Sequence, residues 1–160
     1  MVSERLRTFL ERQGVHYDVV TAPYERFTAQ ETAASLHLSG KRLAKVVMVK
    51  VGERLVMAVA PADEQIALRE LGRLVGDGEN VRLAREAEFA TLFPDCDTGA
   101  MPPFGNLYNI PVYVDDRLSV HEDVYFEGGS HRDIVRMKYA DFVRLVNPKV
   151  AHFGTFARAA

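Results

Sequence analysis

The sequence predicts a mixed α/β fold, because helical and extended segments alternate irregularly and several extended pairs are joined by short turns. Two nearly continuous apolar runs, 46–51 and 54–60, flank Gly52 and Glu53 and predict a central hairpin that is covered on both faces. The 160 residues fit one domain spanning 1–160. We therefore expect a single domain with a partly antiparallel sheet that can curl.

The other elements follow from apolar spacing and from turn residues. Thr28 with Glu31 has the capping-box pattern and predicts the start of the second helix, and Asp63 is the expected cap of the third. No element is assigned to residues 151–160. The predicted helices are 3–13, 28–37, 64–75, 85–93 and 139–147, and the further strands are 15–20, 81–84, 110–116, a segment within 119–126, and 133–138.

Composition limits the class of protein and its compartment. An apolar fraction of 48% and a charged fraction of 26% are typical of a soluble globular protein. No apolar run reaches the ~18 residues of a membrane helix. One cysteine cannot form an internal disulfide, so the cytoplasm is expected. The formal net charge of −2 gives no general attraction for nucleic acid, so any RNA contact needs a local basic patch.

Lys45 is the first candidate for chemistry, because it stands just before the most apolar strand of the chain. An ammonium group at the rim of a buried sheet can bind a phosphate, a carbonyl oxygen or a developing oxyanion. A strand-edge lysine with its charge in water is the commoner arrangement, so position alone leaves both interpretations open. Lys41, Arg42 and Lys50 could add a local basic surface.

The stretch DCDTGAMPPFGN, residues 95–106, is the second candidate. Gly99 and Gly105 allow a ligand to approach the main chain closely. Pro102 and Pro103 hold the chain extended and have no N–H group. The pattern predicts a stiff loop with a few backbone N–H groups free to point at a ligand. A rigid connector between helix and strand explains the composition equally well.

The third candidate is FEGGSHRD, residues 126–133. Gly128 and Gly129 between two strands indicate a hairpin turn. His131 directly after them is in most proteins a simple turn residue. As a functional group it could donate or accept a hydrogen bond near neutral pH.

Cys96 and a distant histidine, His121 or His131, could form the nucleophile and base of a thiol hydrolase. Asp95 and Asp97 flank it, and neighbouring negative charge raises the pKa of a thiol and makes the thiolate scarcer. A nucleophilic Cys96 is therefore disfavoured. The five histidines are scattered and no nucleotide-binding glycine motif occurs, so no metal site and no cofactor are predicted.

Five segments occur in a characteristic order over roughly residues 15–147. They are TAQE at 28–31, AKVVMVKV at 44–51, VMAVAPAD at 56–63, GAMPPFG at 99–105 and GSH at 129–131. In this order and spacing the chain resembles the YbaK and prolyl-tRNA synthetase-associated editing domains, which are free-standing aminoacyl-tRNA deacylases. The resemblance implies a compact α/β domain around a curled, barrel-like mixed sheet flanked by helices.

The resemblance also implies which residues form the site. The lysine of the family corresponds to Lys45, the implied catalytic residue. The loop departs from the family at Ala100, where a second glycine is common, and at Pro102, where a small residue such as serine is common; both changes alter the donors and the width of the pocket. The implied substrate-binding residues are Gly99, Ala100, Met101, Pro102, Pro103, Phe104, Gly105, Gly129, Ser130 and His131.

The implied activity is hydrolysis, in trans, of the ester between a mischarged amino acid and the 3′-terminal adenosine of a tRNA. No residue supplies a convincing nucleophile, which fits attack by water or by the 2′-hydroxyl of the substrate, with Lys45 orienting the ester and loop N–H groups holding its carbonyl oxygen. The implied partners are the acceptor end of aminoacyl-tRNA and a synthetase or tRNA carrier protein, without a membrane. A non-catalytic binder of an amino acid, a nucleotide or a partner protein is the alternative.

Overall fold

A mixed sheet of eight strands organises the fold in the computed structural model, which describes residues 1–23, 28–76 and 80–156. The helices are α1 Glu4–Gln13, α2 Ala29–Ser35, α3 Leu68–Val75, α4 Glu86–Phe89 and α5 Tyr139–Val146. The strands are β1 Tyr17–Thr21, β2 Leu43–Val51, β3 Arg54–Pro61, β4 Glu64–Ile66, β5 Val81–Leu83, β6 Val112–Asp115, β7 Asp123–Glu127, β8 Asp133–Lys138, β9 Lys149–Ala151 and β10 Gly154–Phe156.

The strand order of the main sheet is β1-β8-β7-β2-β3-β6-β9, and β5 also pairs with β2. The pairs β1–β8, β7–β8, β2–β3 and β2–β5 are antiparallel, whereas β2–β7, β3–β6 and β6–β9 are parallel. β2 pairs with β3 along one edge. Along its other edge, Leu43 and Ala44 pair with β7 and Val49 to Val51 pair with β5. The mixed sheet confirms the predicted fold class.

The predicted central hairpin is confirmed as β2–β3, which pairs Ala44 with Pro61 at one end and Val51 with Arg54 at the other. Gly52 has a φ of 60°, the left-handed conformation that a tight two-residue turn requires. Consecutive residues of β3 pack into two different buried clusters, on opposite faces of the sheet. The nearly continuous apolar sequence is therefore explained by burial on both sides.

Several predicted helix ends are confirmed by capping contacts. Ser3 accepts a hydrogen bond from the N–H group of Leu6 at 3.3 Å, and Gly14 ends α1 in the left-handed conformation. Thr28 accepts from the N–H group of Glu31 at 3.1 Å at the start of α2. The predicted helix over 85–93 is α4 continued by a 3₁₀ turn. Within the described ranges, every helix is too short or too polar to cross a bilayer.

The predicted helix over 64–75 with Asp63 as its cap is wrong at its N-terminal end. Glu64–Ile66 forms β4, and α3 begins at Leu68 after Ala67, whose side chain makes no capping hydrogen bond. β4 exists because it pairs with β10, in the C-terminal segment to which no element was assigned. The pairing partner lies far along the chain, so no local pattern indicates it.

Aromatic side chains fill the core beside α5. The ring of Phe104 lies with its centroid 5.6 Å from that of Phe126 and 5.6 Å from that of Phe142, and Phe9 of α1 approaches it at 6.1 Å. All but Phe9 are fully buried. Because Phe104 belongs to the 95–106 loop and Phe126 to the end of β7, this cluster anchors the loop next to the turn that follows β7.

Candidate active site

Four segments far apart in sequence meet at a cavity of about 170 Å³. They are the start of α2, the start of β2, the 95–106 loop, and the end of β7 with the turn that follows it. The residues that line the cavity are Ala29, Ala44, Lys45, Val46, Gly99, Met101, Glu127 and His131.

Lys45 reaches this cavity from β2, where its backbone pairs with Ala60 of β3. The side chain is half-buried, and this burial lowers the pKa of Lys45, while the negative charges of Asp63 and Glu64 act in the opposite direction. Among the residues that the structure describes, no carboxylate forms an ion pair with Lys45. The ammonium group is therefore available to an oxygen of a bound molecule.

The 95–106 loop is fastened to the turn after β7 by two backbone hydrogen bonds. The N–H group of Asp97 donates to the carbonyl of Gly129 at 2.8 Å, and the N–H group of Gly129 donates to the carbonyl of Ala100 at 2.9 Å. Gly129 has a φ of 114°, and a Cβ added there would lie 2.9 Å from the backbone nitrogen of Ser3. Glycine is required at this position because the chain passes so close to the N-terminal segment.

His131 is held against the same loop. Its Nε2 atom lies 3.0 Å from the carbonyl oxygen of Thr98. A carbonyl oxygen can only accept, so Nε2 carries a hydrogen and donates it. Gly99 lies beside the ring, and a Cβ added to Gly99 would stand 3.5 Å from its Cε1 atom. The loop and the turn therefore form one wall of the cavity together.

Glu127, at the end of β7, faces the other ring nitrogen of His131. Its Oε2 atom lies 3.4 Å from Nδ1, an ion-pair distance rather than a well-formed hydrogen bond. Burial raises the pKa of Glu127 to about 7, although His131 and the hydroxyl of Thr32 pull it down. Glu127 was not among the predicted site residues. Its only signal was its position four residues before His131 across a Gly-Gly turn.

Of the predicted site residues, Lys45, Gly99, Met101 and His131 line the cavity. Phe104 does not, because it lies in the aromatic core. The remaining predicted residues flank the lining or support it from behind, and none is part of it. They are Ala100, Pro102, Pro103, Gly105, Gly129 and Ser130.

Two of these residues have clear structural roles. Gly105 is needed for close packing, since a Cβ there would lie 2.7 Å from Cγ2 of Val112. The hydroxyl of Ser130 donates to Asp133 at 2.7 Å and so closes the turn between β7 and β8. Neither residue is part of the cavity lining.

Cys96 lies in a half-buried polar contact outside the cavity. Its Sγ atom is 3.6 Å from the hydroxyl of Tyr108 and 3.8 Å from a carboxylate oxygen of Asp95. Burial raises the pKa of Cys96 to about 11, and the charge of Asp95 adds to the rise. The predicted direction of the shift agrees, with burial as the larger cause. A thiolate nucleophile is therefore disfavoured here.

One group of potential metal ligands also occurs among the described residues. Ligand atoms of Asp115, Asp116 and His152 lie within 4.8 Å of one another, and none of the three residues lines the cavity. Asp115 is fully buried and accepts hydrogen bonds from the N–H groups of Arg117, Phe153 and Gly154. Its carboxylate therefore already has a structural role, joining β6 to the segment between β9 and β10.

The sequence model of the aminoacyl-tRNA editing domain family matches residues 25–145 of the chain. These residues include every segment that lines the cavity. The chain belongs to this family. The predicted resemblance is thus confirmed, and so is the predicted activity, hydrolysis of mischarged aminoacyl-tRNA in trans. A deacylase, and not a non-catalytic binder, is the class of protein to which this editing domain belongs.

Relatives agree with this assignment. The multifunctional Ser/Thr-tRNA deacylase ProXp-y of Escherichia coli strain K12 is 29% identical over 158 residues, which cover 94% of this editing domain and 91% of the relative. A proline–tRNA ligase of Thiobacillus denitrificans is 32% identical over 97 residues, which are 60% of this chain and 16% of the ligase. A crystal structure of a candidate trans-editing enzyme for prolyl-tRNA synthetase superposes with a TM-score of 0.83 at 25% identity, over 96% of each chain.

Proposed function

We propose that the cavity beside Lys45 is the deacylation site and that it removes small amino acids, serine and threonine among them, from mischarged tRNA. The observation that carries this proposal is the convergence of Lys45, Gly99 and His131 on one cavity of about 170 Å³. A cavity of this size suits a small aminoacyl group better than a large aromatic one. The similarity to the Ser/Thr-tRNA deacylase supports the choice of serine and threonine.

Lys45 orients the ester in this mechanism. Its half-buried ammonium group has no ion-pair partner among the described residues, so it can bind the terminal phosphate or an oxygen of the ester. The attacking group is water or the 2′-hydroxyl of the terminal ribose, because the half-buried thiol of Cys96, with its raised pKa, is a poor nucleophile. Positioning the ester for attack by such a neighbouring group accelerates hydrolysis without a covalent intermediate on the protein.

The N–H group of Gly99 holds the carbonyl oxygen as negative charge develops on it. This N–H group points at the sulfur of Met101 at 3.3 Å, and sulfur is a weak acceptor that an oxyanion can replace. The neighbouring N–H group of Ala100 is already bonded to the carbonyl of Asp97 at 3.0 Å. Pro102 and Pro103 have no N–H group. Gly99 is therefore the proposed donor among these four positions of the loop.

The tRNA contributes its acceptor end to this site, and a synthetase or carrier protein supplies further affinity. A net charge of −2 gives weak attraction for the remainder of the tRNA. The match to part of a proline–tRNA ligase supports association with such a synthetase. A salt titration of tRNA binding should have a shallow slope, and a steep slope would contradict contact with the acceptor end alone. The proposal also includes that the protein acts in the cytoplasm and that residues 1–160 form one domain.

A deacylation panel tests the proposal. The protein is mixed with tRNAs charged with alanine, serine, threonine, cysteine or proline, and loss of the labelled amino acid is followed. We expect turnover of seryl- or threonyl-tRNA, lost by ~10²-fold or more in Lys45→Ala. Lys50→Ala is the matched control, because Lys50 lies on the same strand but outside the cavity. No turnover across the panel, or equal losses in both variants, would contradict the proposal.

A further inference from the structure

Glu127 has no role in the mechanism above, although it is the one acidic side chain among the described residues that line the cavity. It is 12% exposed. A buried carboxylate is costly unless a positive charge or several hydrogen bonds accompany it. The carboxylate of Glu127 therefore needs a positively charged or hydrogen-bonding partner.

The hydrogen bond that His131 donates to Thr98 determines which ring nitrogen faces Glu127. Nε2 donates to the carbonyl of Thr98, so the hydrogen of a neutral imidazole is already on Nε2. Nδ1 would then direct a lone pair at Oε2 of Glu127, 3.4 Å away. Two acceptors at that separation repel each other unless a proton accompanies one of them. A proton placed between Nδ1 and Oε2 therefore removes this repulsion.

The groups that face Glu127 leave room for a cation from the substrate. His131 approaches from the turn, and the hydroxyl of Thr32 approaches from α2. Lys45 lies in the same cavity without forming an ion pair with Glu127, and the acids that act on its charge are Asp63 and Glu64. The cavity therefore has a positive group on one segment and a separate acidic group on another.

We propose that Glu127, positioned by His131, binds the α-ammonium group of the aminoacyl ester, so that the site selects esters of free amino acids over deaminated or N-acylated ones. This inference rests on the proposed deacylation site. An α-ammonium group lies one carbon from the ester carbonyl, so a substrate with its carbonyl near Gly99 can direct its amine at Glu127 across the same small cavity. On binding, the ammonium replaces the proton that the pair holds, and that proton is released to solvent.

The first test compares two esters on one tRNA, seryl-tRNA and its deaminated form with a hydroxyl in place of the amine. We expect Glu127→Gln to lower kcat/KM for seryl-tRNA by about 10- to 100-fold, the range for a lost charged hydrogen bond, and to leave the deaminated ester unchanged. Glu122→Gln is the control, because Glu122 is exposed just before β7. Equal losses of kcat/KM on both esters would overturn the proposal. It would also be overturned if Glu127→Gln changed only the preference between seryl-tRNA and alanyl-tRNA.

A second test does not depend on turnover. Binding of an amide-linked analogue of seryl-adenosine is measured by calorimetry in buffers of different ionisation enthalpy. We expect the wild-type protein to release a proton when it binds the analogue. The affinity of Glu127→Gln for the analogue should be 10- to 100-fold weaker. If the analogue binds in this way while no ester is hydrolysed, the deacylation site fails and amine recognition stands. If hydrolysis proceeds and the affinity of Glu127→Gln is unchanged, amine recognition fails alone.

The positioning role of His131 has its own readout. The positive charge of His131 lowers the pKa of Glu127, so His131→Gln should raise it and move the acid limb of the kcat/KM profile for seryl-tRNA to higher pH. The profile for the deaminated ester should keep its shape. A uniform loss at every pH for both esters would show that His131 merely supports the loop, and would overturn its role in amine binding.

Discussion

The imidazole of His131 lies directly against Gly99, with its Nε2 atom donating to the carbonyl of the preceding residue, Thr98. Gly99 itself has a φ of 87°, a conformation that other residues rarely adopt. One contact thereby joins the 95–106 loop, whose N–H group is the proposed oxyanion donor, to the turn that presents the proposed amine-binding pair. This contact therefore couples the positions of the two parts of the site.

Gly99→Ala should impair catalysis more than stability. The added Cβ meets the histidine ring at an ordinary 3.5 Å, so the main effect is strain at a φ of 87°, which tilts the N–H group away from the cavity. We expect a loss in kcat/KM of about 10²-fold with ~1 kcal/mol of destabilisation. Deacylation and thermal unfolding should be measured on the same preparations.

Gly76→Ala is the matched control for Gly99→Ala. Gly76 also has a positive φ, 111°, but it ends α3, and no atom of the described residues lies within 4 Å of the added Cβ. It should lose comparable stability and keep full activity. Retained activity in Gly99→Ala would argue against the N–H group of Gly99 as a donor.

Gly129→Ala should destabilise the protein more severely. Its Cβ would lie 2.9 Å from backbone and side-chain atoms of Ser3, and its φ of 114° adds strain. The two hydrogen bonds that fasten the loop to the turn both involve Gly129. We expect a loss of ~2–4 kcal/mol in the free energy of unfolding, from denaturant titration. A loss under ~1 kcal/mol would mean that the N-terminal segment is not firmly packed there.

Local signals were sufficient for most elements of the fold and insufficient for the short strands β4, β9 and β10. The β2–β3 hairpin and α1 have their turn and capping residues within a few positions, so their sequences predict them. β4 depends on pairing with β10, which only the folded chain brings together. The sequence of Glu64 to Val75 fits one continuous helix as well as a short strand followed by a helix, as long as the pairing of this segment with β10 is unknown.

The site was predicted in part for a comparable reason. Lys45 and His131 are polar groups at the ends of apolar or glycine-rich segments, and such positions are visible in sequence. Glu127 acquires its chemistry from burial, which is a property of the assembled cavity. Phe104 was assigned to the pocket wall because a wall and a core both need apolar side chains, and only packing distinguishes them.

Phe104→Leu should separate the core from the cavity wall. The substitution removes ring contacts with Phe126 and Phe142 but no group that lines the cavity. We expect a loss of ~1–3 kcal/mol in stability and a kcat/KM within about twofold of the wild type at low temperature. Met101→Ala, which changes the lining, should instead alter the preference between amino acids. A large loss of activity in fully folded Phe104→Leu would place the ring in the site after all.

Cys96→Ser should retain deacylation. The thiol is half-buried against Tyr108, and its raised pKa, about 11, leaves almost no thiolate at neutral pH. We expect kcat/KM within a few-fold of the wild type and slow reaction of Cys96 with iodoacetamide in the folded protein. Rapid alkylation accompanied by loss of turnover would revive the thiol mechanism. Alkylation in denaturant, where burial is removed, provides the reference rate.

Glu127 should make the stability of the protein depend on pH in an unusual direction. Its pKa is about 7 in the folded state and near the ordinary value of a glutamate when unfolded, so the unfolded chain loses its proton first as the pH rises. The folded state is therefore penalised progressively from about pH 4.5 through pH 7, and the penalty is complete above it. Glu127→Gln has no such proton, so its unfolding temperature relative to the wild type should be higher at pH 8 than at pH 5. Glu122→Gln should show no such crossover. The contradicting result would be a Glu127→Gln variant whose stability relative to the wild type decreases from pH 5 to pH 8. It would mean that Glu127 is stabilised as a carboxylate without substrate, and that the cavity already contains the positive charge that the substrate amine is proposed to supply.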